Sequence, residues 1–315
     1  MSSRTIVVVG ATGEQGNGTV SALLSSTAFS VKAVTSDPTG AKAQALLARF
    51  PDEVEDGRLT VVRAELGDQT SLEAALEGAH GLFAAWSSHG DEFGEGKNLV
   101  SAAKTSGIAH FVYSSFYSID KATNGCFRVP FLDAKADIEE YAKQELPAFT
   151  TLMPGSFYSN LAWPMYTKRD SDGTAIFHPP FNADVGLEFV DAAHDIGVCA
   201  AAIFTLGPSA TANKTYPVAS PPILLADLAA QYIALTGEAA KCAPRTPEEA
   251  VGELPLPEGT KFALTEMHRW ANTATDSQRR FYGLMSVEEF EAAQEELGVR
   301  ATTFEEWLAR TGWRV

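Results

Sequence analysis

Residues 4 to 20, reading RTIVVVGATGEQGNGTV, constrain this chain more than any other stretch. Residues 5–9 form a β-branched run with no polar break, which suits either a strand buried on both faces or a piece of buried helix. Glycine decides between them. Gly10, Gly13 and Gly16 follow at once, and a helical pattern resumes from Thr19, so the segment reads as strand, tight turn and helix. The spacing is G-x-x-G-x-x-G, not the commoner G-x-G-x-x-G. Both patterns let the backbone turn sharply and come close to a pyrophosphate, whose charge is received by free N–H groups at the start of the helix. The alternative is an ordinary glycine-rich turn with no ligand, and the place of the motif directly after an all-apolar first strand favours the dinucleotide.

The pattern then repeats. Apolar runs over 29–35, 59–64, 80–86, 108–114 and 149–152 alternate with helical stretches over 41–50, 70–76, 96–106 and 130–145. Such alternation predicts an α/β fold, a Rossmann-type doubly wound parallel sheet with helices on both faces. Ligands of such sheets bind beyond the carboxyl ends of the strands. Those ends carry the glycine turn, Ser36-Asp37, Glu65, Ser87-Ser88-His89 and Ser114-Ser115. The end of strand two faces the adenosine ribose. An acid there bonds the 2′-hydroxyl of NAD, whereas a nearby arginine accommodates the 2′-phosphate of NADP. Here the text is Thr35-Ser36-Asp37-Pro38, and Asp37 serves equally well as a turn cap before proline. Lys42, one helical turn on, either meets a phosphate or stays solvated. After residue 153 the alternation decays into an aromatic and proline-rich stretch over 157–181 and then mostly helical patterns. The expected division is 1–153 as the dinucleotide-binding domain and 154–315 as a smaller, mostly helical substrate region. That region is fused to the first, with parts returning to the sheet. Aromatics at the density of 157–181 are either core or the wall of a pocket for an apolar substrate.

The balance of 40 acidic against 24 basic residues, a net charge of −16, argues against nucleic acid and against an anionic membrane surface as partners. Cys126, Cys199 and Cys242 are odd in number and widely spaced, giving neither a disulfide framework nor a metal-binding pattern. No apolar stretch is long enough to cross a bilayer, and strand one begins with no leader before it, so the expected location is cytoplasmic.

Several stretches together resemble the NmrA-like family of the atypical short-chain dehydrogenase/reductase superfamily, related to isoflavone-reductase-like enzymes. They are VVVGATGEQGNGTV, GLFAAW, GKNLVSAAKTSGIAHFVYSS, FLDAKADIEEYAKQELPAFTTLMPGSFYSNL, VDAAHDIGVCAAAIF and TTFEEWLARTGW, in the family's order and spanning nearly the whole chain. The resemblance implies a Rossmann fold and a nicotinamide cofactor, NADP(H) preferred and NAD(H) the alternative. Relatives are either reductases or dinucleotide-binding redox sensors that engage a partner protein.

Carried over by position, Gly10, Gly13 and Gly16 match the family's glycine motif, and Thr12 and Gln15 line the same turn. Ser36 stands where NADP-binding relatives carry an arginine. Glu65 falls where relatives place an acid near the adenine. Lys135 matches the lysine of the superfamily's Tyr-x-x-x-Lys pair, but the tyrosine position holds Phe131, which has no proton to give. In isoflavone-reductase-like enzymes, which also resemble Phe-x-x-x-Lys, the lysine acts alone as ribose anchor and acid/base. Ser115 and its neighbours Tyr113 and Ser114 lie where the superfamily's catalytic serine is found, and Tyr158 follows strand six, where nicotinamide and substrate should meet. A structural role for Lys135 is an i,i+4 pair with Glu139. The expected function is an NAD(P)H-dependent reductase passing a hydride to a carbonyl, imine or activated C=C of a small apolar or aromatic molecule. The rivals are a non-catalytic sensor and a redox-neutral enzyme on the same fold.

Overall fold

A computed structural model describes residues 4–87, 90–274 and 279–315. Six strands appear in the first half: β1 (Thr5–Val9), β2 (Ser30–Thr35), β3 (Leu59–Arg63), β4 (Gly81–Ala84), β5 (His110–Ser114) and β6 (Phe149–Pro154). A seventh, Thr215–Val218, pairs with β6, and the order across the sheet is Thr215–Val218, β6, β5, β4, β1, β2, β3. Every neighbouring pair is parallel. β1 shows why its sequence has no polar break. Ile6 and Val8 pack with Val20, Leu23 and Ile196 on one face. Val7 and Val9 pack with Leu72, Leu99 and Ile138 on the other. A central strand covered on both sides needs apolar residues at every position.

Helices Glu14–Ser26 and Asp195–Leu206 cover the first face, and Gln69–Leu76, Glu92–Thr105 and Pro130–Glu145 cover the second. The two helices of the first face meet backbone to backbone. A Cβ on Gly18 would lie 2.4 Å from the Ala193 carbonyl oxygen, and one on Gly197 would lie 2.2 Å from that of Gly18. The buried Asp195 carboxylate then accepts from the Asp191 and Thr302 N–H groups, each at 3.0 Å, and from Thr302 Oγ1 at 2.5 Å, fixing the last part of the chain to this helix.

One expected boundary shifts, and one open alternative is decided. The helix expected over 96–106 begins at Glu92, because Asp91 caps it by accepting from Gly94 N–H at 2.9 Å. The aromatic stretch after β6 is mainly core. Tyr158, Tyr166, Phe177 and Phe181 are buried in a second cluster with Trp270 and Trp307, while Trp163 stays 46% exposed. A small three-stranded sheet of Thr167–Arg169, Ala175–Phe177 and Ala240–Cys242 frames this cluster.

One buried ion pair ties the second half together. Arg280 meets Glu188, whose other oxygen accepts from Phe281 N–H, while the guanidinium also donates to Ser220 O at 2.9 Å and lies 3.7 Å over the Phe290 ring. Burial pushes the Glu188 carboxyl up, and Arg280 opposes the shift.

Among the described residues three histidines are buried, His110, His178 and His268. His110 bonds Thr150 Oγ1 at 2.9 Å, and His268 bonds the Tyr166 hydroxyl at 3.1 Å and the Leu264 carbonyl at 2.7 Å. Burial pushes both down to about 4 from 6.5. The unfolded chain therefore binds more protons between those values, so stability is full above about pH 6.5 and falls as pH drops towards 4. The expected loss is on the order of 2–3 kcal/mol for each histidine, read as a falling urea midpoint between pH 7 and 4.5, with neither imidazole protonating by NMR in the folded protein above pH 5.

Candidate functional site

Between β1 and its helix the chain turns on Gly10, whose φ is +78°. A Cβ there would lie 1.9 Å from the Ala85 carbonyl oxygen just past β4, and one on Gly16 would lie 2.2 Å from the Gly10 carbonyl oxygen. Both glycines are required by close backbone approach. Gly13 differs. Its nearest neighbour is the Gly10 oxygen at 3.3 Å, it is exposed, and it is the N-cap of helix Glu14–Ser26 with no side chain to occupy the first-turn N–H groups. An open helix start beside a glycine cradle is an anion-binding arrangement. The residues present thus fit the pyrophosphate of a dinucleotide.

Around this turn the carboxyl ends of the strands bring several groups together. Ser114 at the end of β5 donates to Gln15 Oε1 at 2.7 Å, so β5 and the glycine turn are joined by side chains. Ser159, after β6, donates to Glu14 Oε2 at 2.9 Å and draws the second half over the turn. Thr12 is half-buried in the same loop.

The Lys135 ammonium lies at the end of β4. It donates to Trp86 O at 2.9 Å and to Glu92 Oε1 at 2.5 Å, and stands 5.5 Å over the Trp86 ring. Ala85, which touches Gly10, directly precedes Trp86, which holds Lys135. One strand end therefore links the turn and the lysine. Glu139, the expected surface partner of Lys135, instead accepts from Lys143 at 2.6 Å. Phe131 packs against the second aromatic cluster. Tyr113 packs its ring on Trp86, centroids 5.3 Å apart, and its buried hydroxyl has no hydrogen-bond partner among the described residues. Burial first, then the Glu92 and Glu139 carboxylates, push this phenol far up.

Two sequence candidates lie apart from this cluster. Ser115 is buried and donates to the Phe116 carbonyl at 3.4 Å. Tyr158 is 1% exposed, stacked between Phe189 and Trp307 at centroid distances of 5.0 and 5.1 Å, with its hydroxyl on the Thr302 carbonyl. Burial holds that phenol protonated, and its neighbours are those of a core side chain. Beyond the carboxyl ends of β6 and Thr215–Val218, a cleft of about 330 Å³ is lined by Ser220, Ile223, Asp227 and Phe304, with the Tyr158 ring at its edge.

At the other end of the site, Ser36 is exposed and Asp37 is engaged in its own turn, accepting from Thr39 N–H at 3.2 Å and Thr39 Oγ1 at 3.1 Å. Lys42 is exposed on the first turn of helix Ala41–Ala48. Glu65 accepts from Arg63 at 2.7 Å. Ser88 and His89 lie outside the described residues. Sequence reasoning missed Glu92, whose signal was Asp91 as an earlier helix cap, and Arg63, the one cation of β3 and its last residue. Among the described residues no group of three or more His, Cys, Asp or Glu could hold a metal ion, and no helix is long and apolar enough to cross a membrane.

Comparison with known proteins places these features in context. The model of the NmrA-like family matches residues 2–308. The NmrA-like family domain-containing oxidoreductase malD of Malbranchea aurantiaca is 28% identical over 259 residues, 76% of this chain and 74% of malD. The nitrogen metabolite repression protein nmrA of Emericella nidulans is 32% identical over 215 residues, 65% of this chain but only 58% of that protein. A crystal structure of NmrA, a negative transcriptional regulator, in complex with NADP superposes with a TM-score of 0.81 at 23% identity, over 99% of this chain and 95% of that one, and so shares the fold.

The two kinds of glycine separate by mutation. Gly10→Ala, with both a forbidden φ and no room, is expected to lower unfolding free energy by about 3 kcal/mol or more. Gly13→Ala, with ordinary φ and a single 3.3 Å contact with the Gly10 oxygen, should stay within about 1 kcal/mol of wild type, both read from urea denaturation.

Proposed function

Since the chain belongs to the NmrA-like family, we propose that it is a cytoplasmic NAD(P)H-dependent reductase, with NADP(H) preferred and NAD(H) the alternative. The observation that carries this reading is the single strand end on which Ala85 meets Gly10 and Trp86 holds Lys135. Gly10, Gly13 and Gly16, with Thr12 and Gln15, would cradle the pyrophosphate, and Ser36, Asp37, Lys42 and Glu65 would surround the adenosine. The cofactor, when bound, supplies a hydride to a carbonyl, imine or activated C=C.

Lys135 would hold the nicotinamide ribose and would supply the proton that completes the reduction. Glu92 and the Trp86 carbonyl fix its ammonium, which Phe131 cannot assist. Ser115 and Tyr158 remain candidates only as supports, since each hydroxyl is committed to a backbone carbonyl. The region from residue 154 onward selects the substrate, a small molecule. The aromatic side chains that suggested an apolar one are mostly core, and the cleft lined by Ser220, Asp227 and Phe304 is a candidate for its recognition. The oxidoreductase name of the malD relative agrees with this reading.

One observation favours a second reading. The Lys135 ammonium is already held by Glu92 and a carbonyl, and Phe131 offers no proton at the superfamily's tyrosine position. A non-catalytic dinucleotide sensor that engages a partner protein needs no more than that, and the transcriptional regulator solved with NADP has this fold.

Titration of wild type, Gly13→Ala and Lys135→Ala with NADPH and NADH separates the readings, with turnover assayed on quinones, enones and aromatic aldehydes. The reductase reading expects tight NADPH binding, at least tenfold weakened by Gly13→Ala. It also expects substrate-dependent NADPH oxidation that falls at least a hundredfold in Lys135→Ala. Tight binding without oxidation of any substrate, unchanged by the lysine substitution, would favour the sensor.

A further inference from the structure

The strand-two end lacks a cation at Ser36, yet one stands beside it on the next strand. Thr35 of β2 and Arg63 of β3 are register partners, and Ala64 N–H donates to Thr35 O at 3.3 Å, which keeps the two strand ends level. Side chains alternate along each strand, so Thr35 shares a face with Val31 and Ala33, and Arg63 with Leu59 and Val61. Those four residues pack in or against the cluster that holds Val20 and Leu23 of helix Glu14–Ser26. Arg63 therefore projects on the face of the glycine-turn helix, next to Thr35 and one residue from Ser36.

We infer that Arg63 is the residue that reads the 2′-phosphate of NADP(H), taking from the end of β3 the part that an arginine on the end of β2 takes elsewhere. This rests on the dinucleotide reading above and adds to it the group that selects the cofactor. A guanidinium on a three-carbon stem can present two parallel N–H donors to a phosphate. Arg63 is 69% exposed at its side chain, and its contact with Glu65, itself 52% exposed, is a surface pair of the kind worth little. A phosphate dianion can displace such a partner, leaving Glu65 to face the adenine. Asp37, which would otherwise hold the 2′-hydroxyl of NAD, has one oxygen bound twice by Thr39, and its other oxygen would lie 2.4 Å from a Cβ on Gly40. Its carboxylate is engaged within its own turn. Ser36, exposed between them, offers a hydroxyl and an N–H to the same phosphate.

The test compares wild type, Arg63→Ala and Arg63→Lys by calorimetric titration with NADPH, NADH, 2′,5′-ADP and 5′-AMP. Because Arg63 is exposed, the variants should melt within a few degrees of wild type. Arg63→Ala is expected to weaken NADPH and 2′,5′-ADP between tenfold and a hundredfold and to leave NADH and 5′-AMP within twofold. Arg63→Lys should recover part of the loss. The 2′,5′-ADP arm reads the phosphate without any contribution from the nicotinamide or from turnover. Tight NADPH binding that is indifferent to Arg63, or an equal loss for NADPH and NADH, would overturn the assignment alone. A wild-type protein that binds none of the four ligands would overturn the dinucleotide reading as well.

Discussion

Everything in this protein is hung on places where one backbone lies directly on another. At Gly10 the first turn rests on the carbonyl of Ala85, at Gly16 the helix rests on the turn, and at Gly18 and Gly197 two helices rest on each other. A methyl group at Gly10, Gly16, Gly18 or Gly197 would occupy space already filled. These contacts set the height of helix Glu14–Ser26 above the sheet, and so the position of its open N-terminus. They also bring a helix from the second half of the chain under the same turn. Glycine costs conformational entropy on folding, and the chain accepts that cost where shape demands it. The exposed Gly13, by contrast, is not dictated by the protein's own packing.

The second determinant is electrostatic. In a chain of net charge −16, the cations at the strand ends are few and each is held by an acid: Lys135 by Glu92, Arg63 by Glu65. The two pairs differ in burial. Lys135 and Glu92 are only 18% and 9% exposed at their side chains, which makes their geometry persistent. Their acid sits in the first turn of its helix, where a carboxylate is favoured by the macrodipole. The Arg63 pair is solvated and exchangeable. One end of the site is thus fixed and the other adjustable, an arrangement suited to a ligand whose two halves carry different charge.

How much of this was readable beforehand follows from the range of each signal. β1 to β6 were legible because parallel strands buried on both faces leave uninterrupted apolar runs, and the glycine turn because its residue type is dictated by backbone geometry alone. Lys135 was singled out through resemblance, but not its partner Glu92, which lies 43 positions away on another helix. Strands of two or three residues, such as Ala175–Phe177, fall below the length at which alternation can be seen. The aromatic stretch over 157–181 looked the same as core or as pocket wall, because composition does not say which way a ring points. Tyr158 illustrates the point: its place just after β6 suggested chemistry, while its stacking partner Trp307 comes from the far end of the chain.

The strand Thr215–Val218 closes the sheet beside β6, which ended at Pro154, and helix Asp195–Leu206 covers the helix Glu14–Ser26 made far earlier. During synthesis the ribosome therefore releases a parallel sheet whose last edge is unpaired and whose glycine-faced helix is uncovered on one side. Open edges invite pairing with other chains, and long-range parallel contacts form slowly. The nascent half is consequently the stage most exposed to misassociation. The site at the strand ends is completed only when Ser159 reaches Glu14 and the later helix arrives, so competence for a ligand comes late in the life of the growing chain.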